Sequence, residues 1–289
     1  MTVQQAYQKA LYSLSSLYDP SEAQAIVWRL MESITGLQQL PASGEMDREL
    51  SVFHQLSLEK QLQELQHHKP LQYVLNQAWF MGHSFYVDAR VLIPRPETEE
   101  LVDWVLREHP DVTGPAFKAL DIGTGSGCIA VSLHLARKYW EVCAIDISAE
   151  ALAVASQNAK ELGAAIKFDQ HDIAADPATY PFLGFSLIIS NPPYIPSNLK
   201  GTLAPQVERF EPAEALFVEG QDPLFFYHAI ASFGRLHLVP GGLVYVEVHH
   251  DSAAEVSALF GRSGYIDVEI RKDMQGVDRL VKGKWPGRP

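Results

Sequence analysis

An apolar segment that runs directly into a glycine-rich turn restricts the fold of this chain more than any other stretch. Residues 117–122 have the composition of a buried strand, residues 123–127 (Gly-Thr-Gly-Ser-Gly) form the turn, and apolar spacing from Ile129 onward predicts a helix. Glycine permits positive φ, and it lets a ligand approach the N–H groups at the start of a helix. The pattern therefore predicts an α/β sheet with a ligand-binding turn, although dinucleotide-binding folds use such a turn as well.

Strands and helices alternate from about residue 115 to residue 262, which predicts a parallel, doubly wound sheet. The last two predicted strands are separated only by a turn at Gly276, so we expect them to pair antiparallel. A long loop over the site is predicted for residues 197–221. Seven strands are predicted, at 117–122, 141–145, 165–169, 185–190, 242–248, 265–272 and 278–284, with helices at 127–138, 149–162, 223–237 and 251–262.

A rigid polar loop follows the strand at residues 185–190, where α/β sheets carry their chemistry. It reads Asn191-Pro192-Pro193-Tyr194, and its prolines fix φ and supply no N–H donors. The loop therefore offers acceptors, the Asn191 side-chain oxygen and backbone carbonyls, beside the Tyr194 ring. Such a site suits a planar –NH2 group. The alternative is a turn that merely ends a strand.

An acid stands at the end of the next predicted strand. Asp146 lies 25 residues after Asp121, and an acid at that position can bind both hydroxyls of a ribose. The alternative is an N-cap for the helix that begins near Ser148.

Taken together, these motifs resemble the class I S-adenosylmethionine-dependent methyltransferases that methylate exocyclic or amide nitrogen. Further segments narrow the resemblance to the release factor glutamine methyltransferases (the HemK/PrmC family). The resemblance covers roughly residues 70–284, whereas the first 70 residues fit that family only in length and helical character. The segments are Tyr86-Val87, Val91–Glu99 with its Arg95-Pro96-Glu97-Thr98 core, Glu211-Pro212, Ala215-Leu216 and Gly276–Arg279.

The resemblance implies methyl transfer from S-adenosylmethionine to the glutamine side-chain nitrogen in the Gly-Gly-Gln loop of class I release factors. The product would be S-adenosylhomocysteine. Other substrates remain open, namely a ribosomal-protein glutamine or the adenine amino group of a nucleic acid. A protein that binds the cofactor without catalysis is a third possibility.

The resemblance also implies roles for individual residues. Catalysis would involve Asn191, Pro192 and Tyr194, and Pro193 would join them in binding the substrate. Asp121 would either hold the α-amino group of the cofactor or cap the glycine turn. The full cofactor set would be Asp121, Gly123, Thr124, Gly125, Ser126, Gly127, Asp146 for the ribose, Asp172 and Ile173 for adenine, and Asn191.

The charge and composition of the chain indicate which class of partner it binds. The 289 residues contain 23 Lys and Arg against 35 Asp and Glu, a net charge of −12 without a basic run. Nucleic-acid and membrane partners are therefore not expected, and a basic protein substrate is favoured. With Cys128 and Cys143 as the two cysteines, and no signal pattern or long apolar stretch, we expect a cytoplasmic protein with buried thiols. We also expect it to be a monomer.

No metal site is predicted, because the eleven histidines are scattered and the pairs His67-His68 and His249-His250 should point in different directions. Three domains are predicted. Residues 1–69 form a helical substrate-recognition domain, residues 70–94 a β-hairpin linker with its turn at Gly82–Ser84, and residues 95–289 the methyltransferase domain. Within them we expect a loop at 41–44, a helix at 46–68, and a helix that Pro94–Glu99 opens, with proline and acids in its first turn. The resemblance also places this segment against the cofactor pocket, where it could act as a lid.

Overall fold

A computed structural model describes residues 1–36, 43–110, 117–220 and 222–288. This part of the chain forms two compact units. The helical unit comprises Met1–Gln77 together with Ala204–Phe210, and the sheet unit comprises Ala78–Leu203 together with the residues from Glu211 onward. The α-helices of the described residues are α1 Val3–Leu14, α2 Pro20–Thr35, α3 Ser43–Met46, α4 Val52–Gln66, α5 Leu71–Leu75, α6 Pro96–Glu108, α7 Cys128–Ala136, α8 Ala149–Leu162, α9 Pro205–Phe210, α10 Ala213–Leu216, α11 Phe225–His237 and α12 Ala253–Arg262.

The strands confirm the predicted α/β class. They are β1 Ala78–Phe80, β2 His83–Phe85, β3 Lys118–Ile122, β4 Glu141–Asp146, β5 Ile166–Gln170, β6 Phe185–Ser190, β7 Ile195–Pro196, β8 Phe217–Val218, β9 Leu238–Glu247, β10 Ile266–Lys272 and β11 Asp278–Lys284.

The helical unit buries one apolar face of each of its longer helices. Helix α1 begins with a capping box, in which the Gln5 backbone N–H donates to Thr2 and the Thr2 N–H donates to the Gln5 side chain. The buried core joins α1, α2 and α4, with the apolar side chains of α5 packed against it. Its fully buried members include Ala6, Ala10, Leu14, Val27, Leu30, Leu58 and Leu65.

The predicted helix at 46–68 is wrong in its first turn. Residues 47–51 are not helical, because the Leu50 N–H donates to Met1 and the Val3 N–H to Arg48, which ties this segment to the N-terminus. Ser51 then caps α4 by accepting from the His54 N–H at 3.1 Å. Of the predicted 41–44 loop, residues 41–42 lie outside the described residues, and Ser43 begins the short helix α3.

Seven strands form the main sheet in the order β10-β11-β9-β6-β3-β4-β5. The neighbours from β9 to β5 pair parallel, whereas β11 runs antiparallel to both β9 and β10. The parallel part follows from the helices that separate its strands, and the antiparallel edge follows from the short turn before β11. Both predictions are confirmed.

Apolar side chains cover both faces of this sheet, as parallel strands require. Leu120, Ile188 and Val246 face one core together with side chains of α11 and α12. Ala119, Ile189 and Tyr245 face the other core with α6 and α7. Cys128 and Cys143 are free and buried, as predicted. Among the described residues, no helix combines the length and the apolar character that crossing a membrane requires.

The predicted hairpin before the sheet exists, but its turn lies one residue earlier than expected. Met81 and Gly82 both have positive φ, at 49° and 77°. This two-residue connection matches the twist of β1 and β2, which pair antiparallel. The linker prediction also missed α5, which belongs to the helical unit, and the predicted loop at 197–221 contains α9 and α10.

Strand register brings the ends of four strands to one level. Ile122 of β3 pairs with Ile145 of β4 and with Ser190 of β6, which in turn pairs with Val246 of β9. The next residue of each strand or loop is therefore Gly123, Asp146, Asn191 and Glu247, in one row at the carboxyl edge of the sheet.

Candidate active site

The glycine turn after β3 is held from two sides. The N–H groups of Gly123 and Thr124 donate to the Ile145 carbonyl at 2.9 and 3.1 Å. Asn158 on α8 donates to the Ser126 carbonyl at 2.8 Å. At Gly127, with φ at +80°, an added Cβ would lie 3.0 Å from the Cβ of Ala155, whereas a Cβ at Gly125 would meet no atom within 4 Å. The turn is thus tightly packed underneath and open where a ligand would lie.

Asp121 is fully buried below this turn. Its Oδ2 accepts from the Thr124 hydroxyl at 2.6 Å and from the Ala130 N–H at 3.2 Å, so it does cap the turn. Its Oδ1 has no hydrogen-bond partner. Burial raises the pKa of Asp121 to about 7. An unpartnered buried carboxylate oxygen suits an additional donor such as an ammonium group.

Asp146 joins the glycine turn to the start of α8. Its Oδ2 accepts from the Gly125 N–H and its Oδ1 from the Ser148 N–H, both at 2.9 Å. The N-cap of α8 is Ser148 itself, whose hydroxyl accepts from the Ala151 N–H. Burial raises the pKa of Asp146. Each carboxylate oxygen keeps a second lone pair, so the geometry is compatible with hydroxyl donors.

The residues predicted to contact adenine, Asp172 and Ile173, lie just beyond the end of β5. The strand finishes at Gln170, and the His171 N–H donates to the Asp146 carbonyl at 3.0 Å, which brings this segment beside Asp146. Asp172 is exposed and accepts from the Ala174 N–H at 2.8 Å, while Ile173 packs against the core.

Asn191 begins the proline loop, next to the glycine turn. The preceding Ser190 hydroxyl donates to the Ile122 carbonyl at 2.7 Å, which links the ends of β6 and β3. The Asn191 Nδ2 donates to the Thr98 hydroxyl oxygen at 3.0 Å. Pro192 is buried and Pro193 is half-buried. The amide is therefore held by its nitrogen, and Oδ1 remains as its acceptor.

Tyr194 is hydrogen-bonded to a buried carboxylate, Glu247, that no sequence motif indicated. Its hydroxyl donates to Glu247 Oε1 at 3.2 Å, and burial raises the pKa of Tyr194. The ring packs against the core that includes side chains of α11 and α12, and its centroid lies 6.2 Å from that of the His249 ring. Tyr194 is thus anchored at its tip.

Glu247, the last residue of β9, is only 1% exposed. Besides Tyr194, its carboxylate accepts from the Thr98 hydroxyl, Oγ1 to Oε2, at 2.6 Å. Burial raises the pKa of Glu247 to about 7. One sequence feature could have indicated Glu247 as a site residue. It is an acidic residue at the end of an apolar strand, the same position that Asp146 occupies on β4.

Two of the segments that carry the family resemblance, Val91–Glu99 and Glu211-Pro212, meet in an ion pair. Glu211 is buried, and it accepts from the Ile93 N–H at 3.1 Å and from Arg95 Nη2 at 2.5 Å. Directly after Arg95, helix α6 begins at Pro96, with Glu97 and Glu99 in its first turn as predicted. The ion pair therefore fixes the chain immediately before the helix that carries Thr98.

The Gly276–Arg279 segment also approaches this edge. Asp273 accepts from the N–H groups of Gln275 and Val277 at 3.0 and 2.9 Å, which shapes the turn before β11. Arg279 lies 3.5 Å from the Asp273 carboxylate and also 3.5 Å from the Val248 carbonyl, one residue beyond Glu247.

The expectation that His249 and His250 point in different directions is wrong. Their ring centroids lie 4.3 Å apart, because the strand alternation ends and a short 3-10 turn begins at His250. The side chains of His249, His250 and Asp251 could each offer one metal ligand within 4.8 Å of the others. Asp251 is 77% exposed, so this cluster lies at the surface.

Comparisons with known proteins identify relatives of this chain. A family model described as "Methyltransferase small domain" matches residues 105–214. A "Release factor glutamine methyltransferase" of Bacteroides thetaiotaomicron is 39% identical over 269 residues, 93% of this chain and 95% of that protein. A protein of the same name from Lactococcus lactis is 39% identical over 281 residues, 96% of this chain and 98% of that protein.

A solved structure shows the same fold at lower identity. The crystal structure of a methyltransferase from Pyrococcus furiosus is 17% identical and has a TM-score of 0.52, covering 80% of this chain and 99% of that chain. The identity to the curated relatives extends over nearly the full length of the chain. The chain therefore belongs to the release factor glutamine methyltransferase family.

Proposed function

We propose that this protein transfers a methyl group from S-adenosylmethionine to the side-chain amide nitrogen of the glutamine in the Gly-Gly-Gln loop of class I release factors. The observation that carries the proposal is the orientation of Asn191. Its Nδ2 is bound to Thr98, so its Oδ1 is the atom presented at the carboxyl end of β6. An acceptor in that place, at the level of Gly123 in the glycine turn, suits an incoming –NH2 group.

A carboxamide nitrogen is a poor nucleophile, because its lone pair is delocalised into the carbonyl group. Asn191 Oδ1 and the Pro192 carbonyl can accept from its two hydrogens and so aim the nitrogen. Both hydrogen bonds strengthen as positive charge develops on nitrogen, which stabilises the transition state more than the ground state. The proton leaves to solvent after transfer, since the chemistry needs no strong base once the nitrogen is cationic.

The residues at the glycine turn fit S-adenosylmethionine. The unpartnered Asp121 Oδ1 suits the α-ammonium group. The open space beside Gly123 and Gly125 accommodates the methionine part, with Thr124 and Ser126 completing the turn. Asp146 would hold the ribose hydroxyls, and Asp172 and Ile173 would contact adenine. When bound, the cofactor supplies the sulfonium methyl group, and S-adenosylhomocysteine is the product.

The choice of a release factor over other substrates rests on two observations. The relatives that share 39% identity over nearly the whole chain carry that name. The net charge of −12 favours a basic protein surface over a phosphate backbone. We further propose that the helical unit captures the release factor, and that the protein acts as a monomer in the cytoplasm, where its two thiols stay reduced.

The experiment is single-turnover methylation of a purified release factor by Asn191→Ala, with mass spectrometry of the Gly-Gly-Gln peptide. The rate should fall on the order of 10²–10³-fold, the usual loss for one preorganised transition-state partner, while cofactor affinity stays near wild type. Asn191→Asp should fail as well, because a carboxylate cannot donate to Thr98.

The matched control is Asn198→Ala, an exposed asparagine a few residues later, which should methylate at the wild-type rate. An Asn191→Ala enzyme with the wild-type rate would show that Asn191 only ends the strand. Wild-type protein that leaves a release factor unmethylated but methylates a ribosomal protein or an oligonucleotide would reassign the substrate.

A further inference from the structure

We propose that Thr98 and Glu247 are positioning residues that hold the Asn191 amide in the one orientation that presents its oxygen to the substrate. The inference rests on the catalytic role proposed above for Asn191 and explains how that role is enforced. It concerns three side chains from three parts of the chain, the start of α6, the loop after β6 and the end of β9.

The two ends of an asparagine amide have nearly the same shape but opposite hydrogen-bonding character. Packing alone therefore does not decide which end faces the substrate. A neighbour that can only accept will select the –NH2 end, and a neighbour that can only donate will select the oxygen. The partner of Asn191 is a hydroxyl group, which can do either, so the partner of that hydroxyl decides.

That second partner is Glu247. An ionised carboxylate only accepts, so the Thr98 hydroxyl hydrogen is committed to Glu247 Oε2 at 2.6 Å. The Thr98 oxygen then offers only a lone pair to Asn191, at 3.0 Å, and the amide must present its Nδ2 there. Asn191 Oδ1 is left for the substrate. The carboxylate thus sets the amide orientation through one intervening hydroxyl.

The same carboxylate holds the aromatic half of the loop. Its other oxygen accepts from the Tyr194 hydroxyl at 3.2 Å. The chain that leads into Thr98 is itself fixed, because Arg95 forms an ion pair with the buried Glu211. One buried acid therefore aligns both Asn191 and Tyr194 against a rigid helix start.

The charge state of Glu247 makes this arrangement sensitive to pH. Burial raises its pKa to about 7, and of the charged groups nearby Arg279 lowers the pKa while Glu97 raises it. Tyr194 and Thr98 donate to the ionised form. A proton on Oε2 would make Glu247 the donor and release the Thr98 hydrogen to turn toward Asn191. The amide would then present its oxygen to Thr98 and its –NH2 group to the substrate.

The test uses Thr98→Val, Thr98→Ser and Glu247→Gln in steady-state methylation of a release factor at saturating cofactor. Thr98→Val keeps the shape but removes the hydroxyl, so kcat should fall about 10²-fold, a loss typical of a misaligned reacting group. The KM for the release factor and the affinity for S-adenosylhomocysteine should remain within about twofold, since neither depends on the amide flip. Thr98→Ser restores the hydroxyl and should recover most of the rate.

The pH profile separates positioning from simple packing. Wild-type kcat should fall as the pH drops below about 7, while Glu247→Gln should be slower at pH 8 and should lack that acid limb. Tyr245→Phe is the matched control. It lies two residues earlier on β9 and loses a buried hydroxyl that donates to the carboxylate of Glu108, at 2.5 Å, away from Asn191. Its kcat and pH profile should match wild type.

Wild-type kcat in Thr98→Val, with Asn191→Ala inactive, would overturn this inference and leave the proposed function intact. Wild-type kcat in both variants would overturn the proposed role of Asn191 itself. A loss in Thr98→Val that Thr98→Ser does not recover would indicate packing and contradict positioning. If Thr98→Val fails to fold, the dependence of kcat on pH in Glu247→Gln tests the inference instead. A fall in kcat below about pH 7 that matches the wild-type fall would refute it.

Discussion

Gly127 offers a quantitative test of how the cofactor turn is built. Two features of the position oppose any side chain. Its φ of +80° lies in the left-handed region, and an added Cβ would lie 3.0 Å from the Cβ and 3.2 Å from the Cα of Ala155 on α8. Gly127→Ala therefore combines backbone strain with a collision between α7 and α8.

The backbone strain and the collision should add to one another. Left-handed backbone costs a non-glycine residue roughly 1–2 kcal/mol, and overpacking against a helix typically adds about 1–3 kcal/mol. Gly127→Ala should thus lower the free energy of unfolding by about 2–5 kcal/mol, the sum of both. Because Asn158 on the same helix donates to the Ser126 carbonyl, a displaced α8 should also weaken cofactor binding.

Gly163→Ala provides the control. Gly163 ends α8 in the same unit with φ at +70°, but an added Cβ there would meet no atom within 4 Å. Only the backbone cost of roughly 1–2 kcal/mol should appear, with unchanged cofactor affinity. Urea unfolding followed by tryptophan fluorescence gives the free energies, and calorimetric titration with S-adenosylhomocysteine gives the affinities.

Equal destabilisation by Gly127→Ala and Gly163→Ala would refute the packing explanation. A second check uses Ala155→Gly in the Gly127→Ala background. Removing the Cβ of Ala155 relieves the contact at 3.0 Å but leaves the one to its Cα at 3.2 Å, so the double variant should show a favourable coupling and partial recovery.

Two further predictions concern binding. Asp146→Ala should weaken S-adenosylmethionine binding by about 1.5–3 kcal/mol, the cost of losing hydrogen bonds to a charged group; unchanged affinity in calorimetry would exclude Asp146 from the site. In the helical unit, Phe53 and Leu56 on α4 are 75% and 61% exposed. If this unit captures the substrate, Phe53→Ser with Leu56→Ser should raise the KM for a whole release factor and leave methylation of a short Gly-Gly-Gln peptide unchanged, whereas equal effects on both substrates would contradict capture.

These surface substitutions are a cleaner test than deleting residues 1–69. The α5 side chains Leu71, Val74 and Leu75 pack against the core of the helical unit. A cut at residue 69 would therefore expose that core, and a lost activity would not report on substrate capture. The boundary of the compact unit at Gln77 became visible only in the structure.

Local patterns were sufficient for most of the fold. Apolar runs of strand length, separated by helical spacing, predicted the seven strands of the main sheet and the antiparallel edge at β10 and β11. Those patterns depend on neighbouring residues, on the fixed φ of proline and on the freedom of glycine to adopt positive φ. They can therefore be recognised without knowledge of the tertiary contacts. The predictions failed where contacts between distant residues determine the local structure. For example, the hydrogen bonds of Arg48 and Leu50 with the N-terminal residues keep the first turn of a predicted helix from forming.

In the candidate site, too, some features follow from the local sequence and others only from the tertiary structure. The sequence by itself indicated the glycine turn, Asp146 and the loop from Asn191 to Tyr194, because each is a contiguous motif with its own stereochemistry. Only the tertiary structure showed how Asn191 is oriented, since Thr98 lies 93 residues before it and Glu247 lies 149 residues after Thr98. A hydrogen bond depends on a few tenths of an ångström and on which partner donates. The register of β6 and β9 brings Asn191 and Glu247 to one level, and the ionised Glu247 carboxylate requires that Thr98 donate to it and that Asn191 donate to Thr98.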